Sequence, residues 1–273
     1  MSPFIHQHFA KQLGLPVQYE RLLAPLNGFA RSVAALKAAR VQGANVTVPF
    51  KFEAFQLAST HSDSATFAQA ANTLKFLPDG QIAADNTDGG GLCRDLDRQL
   101  KTMNLTLSAC QVLMIGAGGA ASGCVAAFQA HGVQHLTVLN RTSVKARALA
   151  DRAEAIDLPA AGGALDSPPS QFDVPGAPVV IVNASSSSLG GQVPDIHPDW
   201  YARAVLVYDM MYSAEPTSFM LHAQGMAPGL PCSDGLGMLV FQAQLAFEWW
   251  TGQSPDALAT LQAVRQHLLS KKG

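Results

Sequence analysis

The chain has 273 residues, 48% of them hydrophobic and 14% charged, with a formal net charge of −2. That balance can fill a buried core and excludes general disorder, and the length suits two domains of ordinary size. With no basic run, nucleic acid and anionic membranes are poor candidates as partners, and no stretch reaches the ~20 apolar residues that span a bilayer.

His6, His8 and Lys11 interrupt the apolar residues of the N-terminus, which therefore does not read as a signal peptide. Cys93, Cys110, Cys124 and Cys232 form no CxxC pair, and no cysteine–histidine cluster has metal spacing. Reduced thiols in a cytoplasmic protein without a metal are expected.

In chain order, Ser2 can N-cap an opening helix whose first position suits Pro3, with Phe4, Ile5, Phe9 and Leu13 on its apolar side. VQYERLL (17–23) reads as a strand, and residues 29–39 place Phe29, Val33 and Leu36 on one helical face. ANVTV (44–48) is a short β-rich run ended by Pro49, and residues 74–85 read as a hairpin turned at Pro78-Asp79-Gly80. Residues 90–100 are helical, and the polar stretch 101–108 separates this half from a different pattern. There a strand runs into a glycine-rich turn after Ile115, a helix continues to about His131, and a strand follows over 135–140, which is one βαβ unit. A helix over 143–154, strands over 179–184 and 204–210, and helices over 236–250 and 256–269 complete the chain. Strand–helix alternation in both halves predicts the α/β class, with two α/β domains.

The turn Gly116-Ala117-Gly118-Gly119-Ala120-Ala121 fits the G-x-G-x-x-(G/A) pattern of dinucleotide sites. The first glycine permits a tight turn, the second lets a pyrophosphate approach the backbone, and the small third residue lets the helix pack closely on the strand. NAD sites place a carboxylate at the end of the second strand to bond the ribose 2′-hydroxyl. This chain has Asn140-Arg141-Thr142 there, with Lys145 one turn on. A guanidinium can clasp a 2′-phosphate through two hydrogen bonds. The alternative is a solvated basic helix start, which the positive end of a helix dipole disfavours.

NVTVPFK (45–51) ends on Lys51 in the first turn of a helix, an unfavourable place for a cation unless an anion is near. DNTDGGG (85–91) supplies two carboxylates and three glycines before another helix. Glycines there allow a ligand to approach the backbone, and Asp88 can also serve as a plain N-cap.

NVTVPFK, AANTL (70–74), DNTDGGG, the GAGGAA turn, NRT, the YDMMY segment and DGLGMLVFQAQLAF together resemble, in order, the signature segments of the shikimate dehydrogenases. The resemblance covers essentially the whole chain. It implies two α/β domains flanking a cleft: an N-terminal substrate domain over 1–100, completed by the C-terminal helices 236–273, and a Rossmann-like NADP domain over 101–235. It implies NADPH-dependent reduction of 3-dehydroshikimate to shikimate, with Lys51 and Asp88 as the catalytic pair. Ser2, Thr47, Asn72, Tyr212 and Gln242 match substrate contacts. Gly116, Ala117, Gly118, Gly119, Ala120, Asn140, Arg141, Thr142, Lys145, Met210 and Gly235 match contacts to NADP(H). The partners so implied are shikimate and 3-dehydroshikimate, with no nucleic acid and no membrane, for a cytoplasmic monomer or homodimer.

The family's domain begins with a strand and a turn ahead of the SPFIH helix, and this chain opens at Met1-Ser2-Pro3. The strands around 17–23 and 44–48 are each expected to lack a neighbour, which lowers stability and weakens substrate binding. Two rivals stand beside the leading reading. An NAD-using quinate/shikimate dehydrogenase is disfavoured by Asn140–Lys145, and an inactive nucleotide-binding remnant by the joint presence of Lys51, Asp88, Asn72 and Gln242.

Overall fold

The computed structural model describes residues 1–270; residues 271–273, the end of the C-terminal segment 236–273, lie outside the described residues. Met1, not Ser2, caps the first helix, α1 (Ser2–Leu13). Ser2 is thus the first helical residue, and Pro3 sits in the first turn, where its missing N–H costs no helical bond. Gly14 ends the helix in the left-handed conformation, φ 64°. Ile5 and Phe9 are fully buried and pack against the C-terminal helices.

Residues 15–25 carry no secondary structure, so the strand expected over 17–23 is absent. After α2 (Phe29–Ala38), β1 (Gly43–Asn45) pairs with β3 (Thr73–Phe76), and on its other side it faces no strand among the described residues. An extended segment becomes a strand only by exchanging ladder bonds, and residues 17–23 are left without such a partner. The β-rich run over 44–48 contributes only Ala44 and Asn45 to β1; Val46 N–H still reaches Asn72 O at 2.7 Å before Pro49 turns the chain.

The first sheet has order β1-β3-β4-β2, with β2 (Thr60–His61) and β4 (Ile82–Asp85) parallel and the other pairs antiparallel. The hairpin from β3 to β4 turns at Pro78-Asp79-Gly80, where Gly80 has φ 83° and Gln81 N–H bonds to Asp79 Oδ1 at 2.9 Å. α2 and α3 (Lys51–Leu57) cover one face, burying Phe29, Val33 and Ala54 against Leu74 and Ala84. α4 (Asp63–Ala68) is capped by the Ser62 hydroxyl. α5 (Asp88–Lys101) then carries the chain to the second sheet through the cluster of Leu92, Leu96 and Leu100.

The second sheet is six-stranded and parallel, in the order β10-β9-β8-β5-β6-β7. Its strands are β5 (Gln111–Ile115), β6 (His135–Leu139), β7 (Ala160–Gly163), β8 (Val179–Asn183), β9 (Ala204–Asp209) and β10 (Cys232–Asp234). Its central strands are near-continuous apolar runs because helices cover both faces. Val112 and Met114 of β5 meet α6 (Gly119–Ala130) and α7 (Ser143–Glu154) on one side. Leu113 and Ile115 meet α8 (Asp199–Arg203) and α9 (Ser218–Met226) on the other.

The strand order reverses between β5 and β8. In open α/β sheets that switch point, at the carboxyl ends of the strands, is where ligands bind. α10 (Leu236–Thr251) leaves this end and returns to pack on α5 and α1, joined by α11 (Ala257–Ser270).

Candidate active site

Pro49 ends the strand direction and Lys51 opens α3, so its ammonium stands at the positive end of a helix. Asp88 opens α5, with Thr87 rather than Asp88 as the N-cap. Lys51 Nζ donates to Asp88 Oδ2 at 2.6 Å, with both side chains partly buried. Each helix thus begins with a group that the other neutralises.

Asp88 Oδ1 accepts Asn72 Nδ2 at 2.8 Å. Asn72, only 4% exposed, also receives Thr87 N–H on Oδ1 at 2.9 Å and lies 3.4 Å from Gln242 Oε1. Gln242 is held in turn by Leu239 O at 2.8 Å. Lys51, Asn72, Asp88 and Gln242 line one cavity of about 580 Å³, together with Ser2, Thr47, Tyr212, Met210 and Gly235.

The glycines of DNTDGGG have a different use from the one their composition suggested. A Cβ on Gly89 would lie 2.6 Å from Gly123 O of α6, and one on Gly91 2.6 Å from Gln242 N of α10. They let α5 approach two helices, which fixes Asp88 and Gln242 relative to each other. Gly237 does the same at the start of α10, where a Cβ would run into the Asp95 carboxylate. Tyr208 Oη donates to that carboxylate at 2.8 Å and accepts Met238 N–H at 3.1 Å. Burial raises the Asp95 pKa, and Arg98 opposes the rise.

Sequence reading missed the segment before α2 as a wall of the cavity. Tyr19, Glu20, Arg21 and Leu22 line it, and Tyr19 Oη donates to Asn45 Oδ1 at 2.9 Å. Burial lifts the Tyr19 hydroxyl to about 12, against the opposing influence of Ser2 and the Arg21 charge. The available signal was a tyrosine inside an alternating run; a strand assignment gave it no site to face. Asn45, Thr73 and Thr87 stand inside quoted motifs, yet nothing in the motifs distinguished them from neighbours.

The cofactor candidates lie apart from the cavity lining, except Met210 and Gly235 at its far end. Gly116 has φ 108°, a conformation that favours glycine, and its position is 3.2 Å from Ser185 N for a Cβ. Above Gly118 and Gly119 there is open space at the N-terminus of α6, with Ala120 exposed beside it and Ala117 partly covered. Ala121 is fully buried against the sheet. Unpaired N–H groups and room for an anion suit a pyrophosphate. Asn140 Nδ2 donates to Thr142 O at 3.1 Å, Thr142 caps α7, and the first turn of α7 has no acidic residue. Arg141 and Lys145 are exposed and form no ion pair among the described residues. A dinucleotide carrying an extra phosphate fits this donor set.

Among the described residues no group of three His, Cys, Asp or Glu converges on a metal position, and no helix is long and apolar enough to cross a membrane.

Residues 1–74 match the family model of the shikimate dehydrogenase substrate-binding domain, residues 98–163 that of shikimate/quinate 5-dehydrogenase, and residues 235–265 that of the shikimate 5′-dehydrogenase C-terminal domain. The chain is 43% identical over 273 residues to the shikimate dehydrogenase (NADP(+)) of Shewanella halifaxensis, covering 98% of this chain and 92% of that one. It is 44% identical over 275 residues to the shikimate dehydrogenase (NADP(+)) of Bordetella petrii, covering 99% and 92%. Among solved structures, Thermus thermophilus shikimate 5-dehydrogenase in complex with NADP(H) and shikimate aligns with a TM-score of 0.78 at 28% identity, over 97% and 94% of the two chains. The ligand-free 5-ketofructose reductase of Gluconobacter sp. strain CHM43 aligns with a TM-score of 0.83 at 25% identity, over 97% and 93%.

Proposed function

The chain belongs to the shikimate dehydrogenase family, and from that premise we propose that it reversibly reduces 3-dehydroshikimate to shikimate with NADPH. One observation carries the reading: a lysine–aspartate pair at 2.6 Å on the wall of a cavity that extends to Met210 and Gly235, at the carboxyl end of the parallel sheet.

Lys51 is the general acid. As a ketone carbon is reduced, negative charge grows on its oxygen; the Lys51 ammonium stabilises that charge and gives up a proton to it. Asp88 holds Lys51 in place and accepts from a substrate hydroxyl. Thr47 and Asn72 bind substrate hydroxyls, Tyr212 and Gln242 make further substrate contacts, and the Ser2 hydroxyl binds the carboxylate. Oxidation runs the same steps in reverse, with neutral Lys51 as base.

NADPH, when bound, supplies the hydride. Gly116, Ala117, Gly118, Gly119 and Ala120 would hold its pyrophosphate at the α6 N-terminus, Asn140, Arg141, Thr142 and Lys145 its 2′-phosphate, and Met210 and Gly235 its nicotinamide end. We assign residues 1–100 and 236–273 to the substrate domain and 101–235 to the cofactor domain. We also assign it to the cytoplasm as a monomer or homodimer, and a net charge of −2 without a basic run supports a chain that engages no nucleic acid.

Steady-state oxidation of shikimate and of quinate, each with NADP⁺ and with NAD⁺, tests this. Shikimate with NADP⁺ is the preferred pair. A preference for quinate with NAD⁺ establishes the rival dehydrogenase, and absence of turnover on all four pairs establishes an inactive remnant.

A further inference from the structure

A line of hydrogen bonds leaves the cavity wall, passes through the buried end of the first sheet and returns to Asp88. Tyr19 Oη donates to Asn45 Oδ1 at 2.9 Å, and Asn45 Nδ2 donates to Thr73 Oγ1 at 3.1 Å. Thr73 Oγ1 donates to Asn72 Oδ1 at 2.9 Å, and Asn72 Nδ2 donates to Asp88 Oδ1 at 2.8 Å. The other Asp88 oxygen takes Lys51 Nζ at 2.6 Å. Register brings this about, because Asn45 of β1 lies opposite Thr73 of β3, which lies opposite Asp85 of β4.

The line has one sense. Thr73 has a single hydroxyl proton, which goes to Asn72 Oδ1, so its lone pair receives Asn45 Nδ2. Asn45 Oδ1 is thereby turned to Tyr19. At the other end, occupation of Asn72 Oδ1 leaves its NH₂ for Asp88. The opposite amide orientation would set an oxygen against a carboxylate. Thr73 is fully buried and absent from the cavity lining, so it meets no substrate. Water does not reach it to replace a lost bond, and an amide so held costs no reordering when substrate arrives. Thr87 N–H also donates to Asn72 Oδ1, so Thr73 supplies part of the orientation rather than all of it.

Resting on the dehydrogenase reading above, we propose that Thr73 is a positioning residue for the Lys51–Asp88 pair, acting through Asn72, with Asn45 and Tyr19 fixing the direction of its hydroxyl. The pair with which Lys51 handles a proton is thus aimed from a buried strand position as well as by its direct neighbours.

Four variants of the full chain test this: Thr73→Val, which keeps the shape and removes the hydroxyl, Thr73→Ser, which keeps the hydroxyl and removes the methyl, Asn72→Ala, and Asn72→Ala combined with Thr73→Val. One neutral hydrogen bond corresponds to a roughly 3–10-fold effect. Thr73→Val should lower kcat for shikimate oxidation by about that factor, with NADP⁺ affinity unchanged. The pH profile of the rate should change with it, because Asp88 no longer holds Lys51 in a single arrangement. Thr73→Ser should recover the wild-type rate and profile. In the Asn72→Ala background, Thr73→Val should cost nothing further, since the two act in series.

A wild-type rate and profile in Thr73→Val overturns the proposal. So does an equal loss in Thr73→Ser, which would assign the effect to packing, and so do additive losses in the double variant. The nitrogen-15 resonance of the Lys51 ammonium needs no turnover: it should be displaced in Thr73→Val and not in Thr73→Ser. An inactive wild type would therefore refute the dehydrogenase reading while that resonance still decides the role of Thr73.

Discussion

Gly91→Ala is the sharpest perturbation of the link between fold and site. The added Cβ would stand 2.6 Å from Gln242 N, 2.7 Å from Gln242 Cβ and 2.8 Å from Met238 O. Two of these three atoms are backbone, so no side-chain rotation relieves the contact. Reaching ordinary van der Waals separation, 3.4 Å, requires α10 to retreat from α5 by about 0.8 Å. The atoms struck belong to Gln242 itself, whose Oε1 is already 3.4 Å from Asn72 Nδ2. The retreat therefore breaks that contact and widens the cavity on the side where Gln242 faces Asp88. Overpacking of this kind costs about 1–3 kcal/mol, which for a chain of this size lowers Tm by roughly 2–10 °C. Calorimetry should show that fall, and kinetics should show a raised KM for shikimate with NADP⁺ affinity preserved, because the atoms the Cβ strikes belong to Gln242 and Met238 of α10 and none to the turn between β5 and α6. If Gly91→Ala melts and turns over like the wild type, the close approach of α5 and α10 does not position Gln242.

Two further outcomes follow from the geometry of the site. Lys51→Ala should reduce kcat by ~10²–10⁴-fold with NADP⁺ binding nearly intact; near-normal kcat with a raised KM would make Lys51 a binding residue only. Arg141→Ala should weaken NADP⁺ binding by on the order of 10–100-fold and leave NAD⁺ binding almost unchanged, measured by fluorescence titration; equal losses would show that Arg141 does not read the 2′-phosphate.

His6 should make the fold acid-sensitive. It is fully buried, stacked on Tyr19 at 4.1 Å and ringed by Phe9, Phe247 and Trp250, and burial lowers it from 6.5 to about 3 despite the nearby Asn45 amide. Between those values the unfolded chain binds the proton first, so its contribution to stability is lost as pH falls from about 6.5 toward 3. By pH 4.5 the loss amounts to about 2–3 kcal/mol. His6→Phe should flatten that part of the curve of unfolding free energy against pH, and an unchanged curve would refute the assignment.

Features that depend on a few consecutive residues were legible in the sequence. The helix over 143–154 follows from apolar spacing, the Pro78-Asp79-Gly80 turn from a glycine that can take φ 83°, and the nucleotide turn from Gly116 and its flanking strand and helix. The absence of an acid in the first turn of α7 was likewise visible, since it is a property of one short segment. Each of these states is selected by sterics and periodicity within a single turn or strand.

What needed a distant partner was not legible. Residues 17–23 have the composition of a strand and form none, because strands are made by ladder partners and none among the described residues lies on that side of β1. The glycines of DNTDGGG are spent on helix contacts rather than on a ligand, since what a missing Cβ permits depends on which element packs over it. Asn72 meets Gln242 across 170 residues of chain, and Tyr19 is linked to Asp88 through the side chains of Asn45, Thr73 and Asn72. Local backbone preference carries no information about such meetings; they are set when α10 returns to α5 and the sheet register closes, because only then do buried polar groups find the partners that make their burial affordable in free energy.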